Sequence, residues 1–384
     1  MNQKEIRVGI VGANAKSSWA KVSHVPAING LPGLKLSAVA TRNEQSAREA
    51  AKAFGADRWF SDPFAMIRDE WIDVITIAVK VPVHRELVLA ALEAGKAVYC
   101  EAPLGRTVAE AEQMASAVGS LHTAIGLQGR LNPAVRRAAQ LVSSGKIGRP
   151  LNARIVSSTT GFGPEMPSVY DYFNKESSGA NLLTITAGHT LDVVEAVLGP
   201  IIEVDSRAEI LWPAIKLTDI GRRSLRETAD HVSVLGKARS GTAFTVDING
   251  GVAVESARSS FEIRGSEGWL SLTSDHPYSF QAGDLTLTSN VAFMPPEKAA
   301  VSGEFMGPAI NVGEVYAHFV RDVRAGTYNT PGFEHALHNA RLIDAVRRAA
   351  ERGERQKLLE QIESSDEDVW GGACANASAG QRKC

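Results

Sequence analysis

The chain has 384 residues, 44% hydrophobic and 22% charged, with 41 basic against 43 acidic side chains and a formal net charge of −2. That length suggests two domains, each with its own core, while the near balance of charge excludes a field that would draw nucleic acid or an anionic membrane. No apolar run approaches the roughly 18 residues of a membrane span, and the start MNQKEIRV lacks the basic, apolar and small-residue order of a secretory signal, so the expected location is cytoplasmic.

Along the chain, "EIRVGIVGANA" reads as a short β-rich run ending at Gly12, a strand feeding a tight turn. A helix-like stretch runs from about Val22 into the thirties, "KLSAVAT" is a second strand, and the alanine-rich "EQSAREAAKAF" is a helix. "WIDVITIAV" is a nearly continuous apolar strand, "PVHRELVLAALEAG" a helix closed by Gly95, "KAVYCEA" a strand, "TVAEAEQMASAV" a helix and "LHTAIGLQGR" a further strand. Strands alternating with helices, several apolar throughout, predict a parallel sheet covered on both faces.

After about Asn132 the pattern changes. The helix "PAVRRAAQLVSSG" leads to "LNARIVSSTTG", an irregular aromatic segment and the helix-like "ITAGHTLDVVEAVLG". The runs "IEVDSRAEIL", "HVSVLGKAR", "GTAFTVDING", "GVAVESARSSFEIRGSEGWLSLTS" and "DLTLTSN" alternate polar and apolar residues, as in an antiparallel sheet with one face in water or against a subunit. The last helix, Phe333–Gly353, carries an apolar stripe through Ala336, Leu337, Ala340, Ile343 and Val346. The expected organisation is α/β: a dinucleotide-binding Rossmann domain over 1–127, then a domain over 128–353 built on a large open, mostly antiparallel sheet, with its C-terminal helix able to pack back on the first. A flexible tail is expected over 354–384. Cys374 and Cys384 fall in that tail; with Cys100, which reads as a small buried side chain, they form neither a disulfide framework nor a CxxC pattern.

In an open α/β sheet the first strand-to-helix turn is where backbone N–H groups and a helix N-terminus meet phosphate. Here the turn is "GANAKSSWA", Gly12 to Ala20, with Asn14 where the usual second glycine stands. Asn tolerates left-handed backbone angles, and Lys16, Ser17 and Ser18 can donate to phosphate oxygens, so side chains can supply what glycines usually provide; an ordinary polar loop is the alternative. The second strand ends in "ATRN" with no carboxylate for a ribose diol. Arg42 suits a 2′-phosphate, which leans toward NADP over NAD.

The ordered pieces "VGIVGANAKSSWA", "IAVKVPVHRELVLAALEAGKAVYCEAPLG", "GLQGRLNP", "LLTITAGHTLDVV" and "FEIRGSEGWLSL" resemble the glucose-fructose oxidoreductase / inositol dehydrogenase / MocA family, and within it the Gal80-like subgroup. The resemblance implies an N-terminal Rossmann fold, NAD or NADP with its nicotinamide facing an interdomain cleft, a secondary alcohol/ketone substrate on a sugar or polyol-like molecule, and a homodimer or homotetramer. It also places Trp19, Val79, Pro82, Glu101, Ala102 and Gln128 along the cofactor. Typical catalytic members read Glu-Lys-Pro around Ala102 and carry an aspartate four residues before a histidine. Here the histidine is His189, but the lysine position is Ala102 and the aspartate position Ile185.

Hydride transfer from an alcohol carbon needs a base or a positive donor within about 3 Å of the reacting oxygen. His189 is the expected acid/base, and Lys80, ending the buried strand, is the expected replacement for the missing cation. His84 is expected to position the Pro82 loop or contact cofactor, Glu101 to accept from a ribose, and Arg130 and Asn132 to hold a polyol hydroxyl or to tie the domains together. In "FGPEMPSVYDYFNKESSGAN", Tyr170, Asp171, Tyr172 and Lys175 are offered to the cleft, a tyrosine being able to replace the lost acid/base partner. No zinc pattern, nucleophile elbow, phosphate-binding P-loop or nucleic-acid pattern is present, so no metal and no nucleic acid are expected. The competing reading is a Gal80-like regulator that binds dinucleotide and acts by protein contact.

Overall fold

The computed structural model describes residues 5–301 and 307–358. The elements of the first half, numbered in chain order, are β1 (Ile6–Val11), α1 (Trp19–Val22), α2 (His24–Gly30), β2 (Leu34–Ala40), α3 (Glu44–Phe54), β3 (Arg58–Phe60), α4 (Pro63–Arg68), β4 (Val74–Ile77), α5 (His84–Glu93), β5 (Ala97–Cys100), α6 (Val108–Ser116) and β6 (Thr123–Ile125). They form a six-stranded parallel sheet in the order β3-β2-β1-β4-β5-β6. Every residue of β4 is buried, as a strand covered on both faces requires. Helix α3 is delimited by local chemistry: the Asn43 side chain accepts from Ser46 N–H at its start, and Gly55 in the left-handed region ends it.

The second half comprises α7 (Pro133–Ser143), β7 (Pro150–Ser158), β8 (Glu165–Met166), α8 (Gly188–Leu198), β9 (Ile201–Glu209), β10 (Ala214–Leu217), β11 (Arg222–Leu225), β12 (His231–Ala238), β13 (Ala243–Asn249), β14 (Ser259–Gly265), β15 (Trp269–Ser274), β16 (Thr286–Ser289), α9 (Pro308–Ala325), α10 (Phe333–Arg352) and β17 (Gln356–Lys357). An eight-stranded sheet runs β16-β15-β14-β7-β13-β12-β9-β17, parallel only between β7 and β13. A small sheet, β11-β10-β8, stands beside it. One face of the large sheet packs on α7, α8 and the second half of α10 around Ile155, Leu191, Val194, Phe261 and Val346. The other leaves Leu235 60% and Trp269 44% exposed.

Two helices late in the chain join the halves. Val312, Val315, Tyr316 and Phe319 of α9 complete the core on one face of the Rossmann sheet. Phe333, Ala336 and Leu337 of α10 complete the core on its other face, while Leu342, Ile343 and Val346 of the same helix enter the second core. The first sheet therefore depends for its covering on residues far beyond 127.

Several expectations are corrected. The helix predicted from about Val22 is two short helices, α1 and α2, interrupted at Ser23. The strand predicted over "LHTAIGLQGR" ends at Ile125, and Gln128–Leu131 is a 3-10 turn; between them a Cβ on Gly126 would collide with the Glu101 carboxylate. Short elements β3, α4, β8, β10 and β11, and the long α9, were not expected. The predicted tail is ordered at its start, where β17 pairs with β9 and Leu358 is buried in the second core; from residue 359, with Cys374 and Cys384, it lies outside the described residues. Cys100 is fully buried and its thiol is pushed well up by that burial, which suits a packing role.

Candidate active site

The strand order reverses between β1 and β4, which opens a crevice at the carboxyl ends of those strands. Gly12 sits there with φ +100°, and a Cβ on it would collide with the Ala78 carbonyl and the Val79 side chain. Only glycine lets the β1 turn approach β4 so closely. The turn is then braced by Asn14: its Oδ1 accepts from the Lys16 N–H at 2.9 Å and the Ser17 N–H at 3.3 Å, while Ser18 Oγ donates to Asn14 O at 2.8 Å. The carboxamide thus occupies two amides that a glycine-rich loop would offer to phosphate. Because α1 has only four residues, its dipole is small, and the turn still offers the exposed side chains of Lys16 and Ser17 as donors.

Arg42 is exposed at the end of β2 and close enough to Lys80 for its charge to lower the lysine's pKa, an effect that adds to the larger one of partial burial. Lys80 leaves β4 and reaches the second domain. Its Nζ stands 4.1 Å from the centre of the Tyr172 ring and donates to Val169 O at 3.4 Å. Tyr172 lies in a 3-10 segment, Ser168–Asn174, with its ring tilted against that of Phe173 and centroids 4.2 Å apart. Burial raises its phenol pKa strongly, which makes it a hydrogen-bond donor and not a base. Buried Arg226 holds this segment, bonding Asn174 Oδ1 at 3.0 Å, Asp230 at 2.6 Å and the Phe162 carbonyl at 2.6 Å.

The other residues of that segment divide. Tyr170 is 38% exposed at the cleft mouth, near enough to Tyr278 for the two phenols to interact, and Tyr278 meets Trp19 edge-on at 6.0 Å. An aromatic rim therefore runs from the dinucleotide turn to Tyr170, and Tyr278 is a member that no sequence motif announced. Asp171 accepts from Asn174 at 3.1 Å, and Lys175 pairs with Glu227 at 2.9 Å, so both are engaged within their own domain.

His84 is enclosed, with Nε2 3.0 Å from Val79 O and Nδ1 3.2 Å from both Pro103 O and Leu104 O. It clamps the exposed Pro82 turn to the loop after β5, which is the positioning alternative, and burial lowers its pKa. Ala102 is half-buried against the Rossmann core and Ile185 against the second core; neither offers a polar atom. Arg130 pairs with buried Asp192 at 2.6 Å, and His335 of α10 meets the same oxygen at 2.6 Å. Asn132 caps α7 and bonds Asn311 of α9 at 2.7 Å and Gly283 O at 3.1 Å. Both residues tie elements together.

His189 is 4% exposed at the start of α8, and its Nδ1 has no partner among the described residues; neither do the two amide atoms of Gln128, which is fully buried. Burial pulls the His189 pKa down to about 4, against the opposing pull of Glu101 and Asp192. A neutral imidazole at physiological pH is a hydrogen-bonding group for a reacting oxygen and a weak holder of its proton. Buried donors and acceptors without partners cost about 1–3 kcal/mol each, so these atoms fit a ligand that satisfies them, as a nicotinamide carboxamide or a sugar hydroxyl would. Glu101 faces His189 closely enough to raise its pKa, and its Oε1 is 2.8 Å from His24 Nε2. The sequence carried no sign of that contact, because 77 positions separate the two residues.

Among the described residues no cluster could hold a metal ion, and no helix is long and apolar enough to cross a membrane. Residues 6–127 match the family described as "Oxidoreductase family, NAD-binding Rossmann fold", and residues 133–274 match "Gal80p, C-terminal domain". The chain is 25% identical to D-apiose dehydrogenase of Paraburkholderia graminis over 88% of its own length and 86% of that protein's. It is 30% identical to the galactose/lactose metabolism regulatory protein GAL80 of Kluyveromyces lactis over 71% of its length, spanning 65% of that relative. Its fold matches levoglucosan dehydrogenase in complex with NADH and L-sorbose, with a TM-score of 0.79 at 23% identity over 92% of this chain and 99% of that one. With a Rossmann half and a Gal80-type half in the order the motifs predict, the chain belongs to the glucose-fructose oxidoreductase / inositol dehydrogenase / MocA family.

Proposed function

We propose that the protein is an NAD(P)-dependent oxidoreductase acting on a secondary alcohol/ketone pair of a sugar or polyol-like substrate. The observation that carries this reading is the set of buried polar atoms without partners among the described residues on Gln128 and His189 Nδ1, borne by two elements, the turn after β6 and α8, that pack on each other. The named dehydrogenases among its relatives support it. The dinucleotide, when bound, supplies or accepts the hydride. Gly12 gives it room; Lys16 and Ser17 face its phosphates from a turn braced by Asn14 and Ser18; Trp19, Val79, Pro82 and Ala102 line it. Arg42 favours NADP through a 2′-phosphate, a contact worth a charge-assisted hydrogen bond.

On the substrate side, His189 hydrogen-bonds the reacting oxygen and Lys80 brings positive charge to the same mouth, standing in for the absent lysine. Tyr170 and Tyr172 offer ring faces and hydroxyls to a sugar, while Arg130, Asn132, Asp171, Lys175 and Ile185 shape the wall from behind. The exposed Leu235 and Trp269 on the open sheet suit burial in a homodimer or homotetramer, and the cytoplasm is the proposed compartment.

Ala102 and Ile185, at positions where catalytic relatives carry lysine and aspartate, favour a second reading: a Gal80-like dinucleotide sensor without turnover. Incubating the protein with NADP or NAD and a panel of aldoses, ketoses and cyclitols separates the two. Appearance of reduced dinucleotide with any member supports the enzyme; tight dinucleotide binding with no reduction across the panel supports the sensor.

A further inference from the structure

Position 102 is apolar, and the ionisable side chain beside it in the chain is Glu101. Glu101 follows β5 directly at the carboxyl edge of the sheet and keeps 12% of its side chain open. Its Oε1 is 2.8 Å from His24 Nε2; His24 Nδ1 is 2.9 Å from the Tyr316 hydroxyl; and that hydroxyl is 2.8 Å from Thr76 Oγ1. His24, Tyr316 and Thr76 are all fully buried. Gly126 lies against the carboxylate, where a Cβ would come within 2.7 Å of Oε2 and 2.9 Å of Oε1, so only glycine leaves room for the group.

The donor inventory dictates how this chain is wired. An ionised carboxylate only accepts, so His24 carries its proton on Nε2 and donates to Oε1. In the wiring assigned here Nδ1 accepts, Tyr316 O–H donates to it, and Thr76 O–H donates to Tyr316. Each donor is spent in one direction, toward the carboxylate. Such a chain fixes one oxygen of Glu101 and leaves the other as the basic one, the orienting logic of a buried acid–imidazole pair.

We propose that Glu101 is the catalytic base of this site, with His24 and Tyr316 as the residues that position it. This rests on the oxidoreductase reading above. In the step assigned to it, the substrate O–H bond breaks and an Oε2–H bond forms. The electron pair left on oxygen makes the C=O bond as the carbon's hydrogen leaves with its pair to the oxidised dinucleotide. His24 keeps its own proton throughout, and the proton on Glu101 returns to water through the open part of the side chain. Lys80 then needs only to steady the developing alkoxide, and His189 to orient it.

The test compares wild type with Glu101→Gln and Tyr316→Phe. Glutamine keeps the contact with His24 but cannot take a proton, so kcat is expected to fall about 100-fold or more, the range of general base catalysis, with NADPH affinity by fluorescence unchanged within about threefold. The alternative use of Glu101, accepting from a ribose, predicts the reverse: weakened NADPH binding with kcat kept, which would overturn the proposal. Tyr316→Phe removes the donor to His24 Nδ1 and is expected to lower kcat about tenfold and displace the acid limb of its pH profile. An unmoved profile argues for mere packing and overturns the positioning role, and this variant decides if Glu101→Gln does not fold. Independently of turnover, nitrogen NMR of the 15N-histidine protein with NADPH, with His24 assigned by its loss in His24→Asn, should show the Nε2–H tautomer; an Nδ1–H ring refutes the wiring. A wild type that reduces no dinucleotide with any sugar refutes the oxidoreductase reading, and the base with it, while the tautomer result stands by itself.

Discussion

The Lys80 ammonium stands 4.1 Å from the centre of the Tyr172 ring, so the two halves of the molecule meet in a cation–π contact across the cleft mouth. Lys80 lies three residues past the end of β4, before the 3-10 turn Val81–Val83, with the Rossmann sheet behind it and the second domain ahead of it. Such contacts contribute about 0.5–2 kcal/mol. Lys80→Met keeps the length and removes the charge, and is expected to lower turnover about 10- to 100-fold, in line with loss of one electrostatic donor. Steady-state kinetics showing unchanged kcat and KM would remove Lys80 from the site.

Arg42 is expected to separate the two dinucleotides. Arg42→Ala deletes an exposed guanidinium at the end of β2, so NADPH affinity should fall about tenfold or more while NADH affinity stays nearly constant, the loss of one charge-assisted hydrogen bond. Fluorescence titration with both compounds reads the difference, and equal weakening of the two would argue against a 2′-phosphate contact.

The buried imidazole of His189 should leave a signature in acid. Its folded pKa, about 4, lies below the ordinary value of 6.5, so the unfolded chain binds the proton more readily. Stability is therefore undiminished above the ordinary value and lost as pH falls from about 6.5 toward 4, by about 2 kcal/mol between pH 7 and pH 5 for this group. His189→Gln removes the titration, and thermal melts should show a smaller drop in Tm over that interval than in wild type. Identical drops would mean that the ring is accessible enough to titrate normally.

Asp192 anchors the junction of α8, α10 and the turn after β6, receiving Arg130 and His335 on one oxygen. These charges pull its carboxyl below the usual range despite burial. Removing one partner of a buried ionic cluster costs about 3–5 kcal/mol, so Asp192→Ala should lower the urea midpoint sharply. A shift of only a few tenths of a kcal/mol would show that the cluster relaxes into water.

The first half was readable because each of its signals is local. Apolar runs such as "VITI", the alternation of strand with helix and the glycines that end helices need no knowledge of distant residues. Helix α9 carried comparable signals, with Pro308 at its start, Gly326 past its end and apolar residues at 312, 315, 316 and 319, yet it follows a long irregular stretch that hides its beginning. The short β8, β10 and β11 have too few residues for any period to show. Within the site, His189, Lys80 and Gln128 were legible from the order of the motifs, while Tyr278, His24 and Tyr316 were not, since nothing in the neighbouring sequence marks them.

By itself the sequence determined the class of fold, the order of its two halves, the family and the two apolar substitutions at 102 and 185, because these depend on residue identity and short-range periodicity. Only the tertiary structure decided that Glu101 meets His24, that Lys80 lies over Tyr172 and that Arg130 and Asn132 bind elements together. Those contacts join residues from 62 to 179 positions apart, and a pairing at that range is set by how helices and sheets pack, which no local pattern encodes.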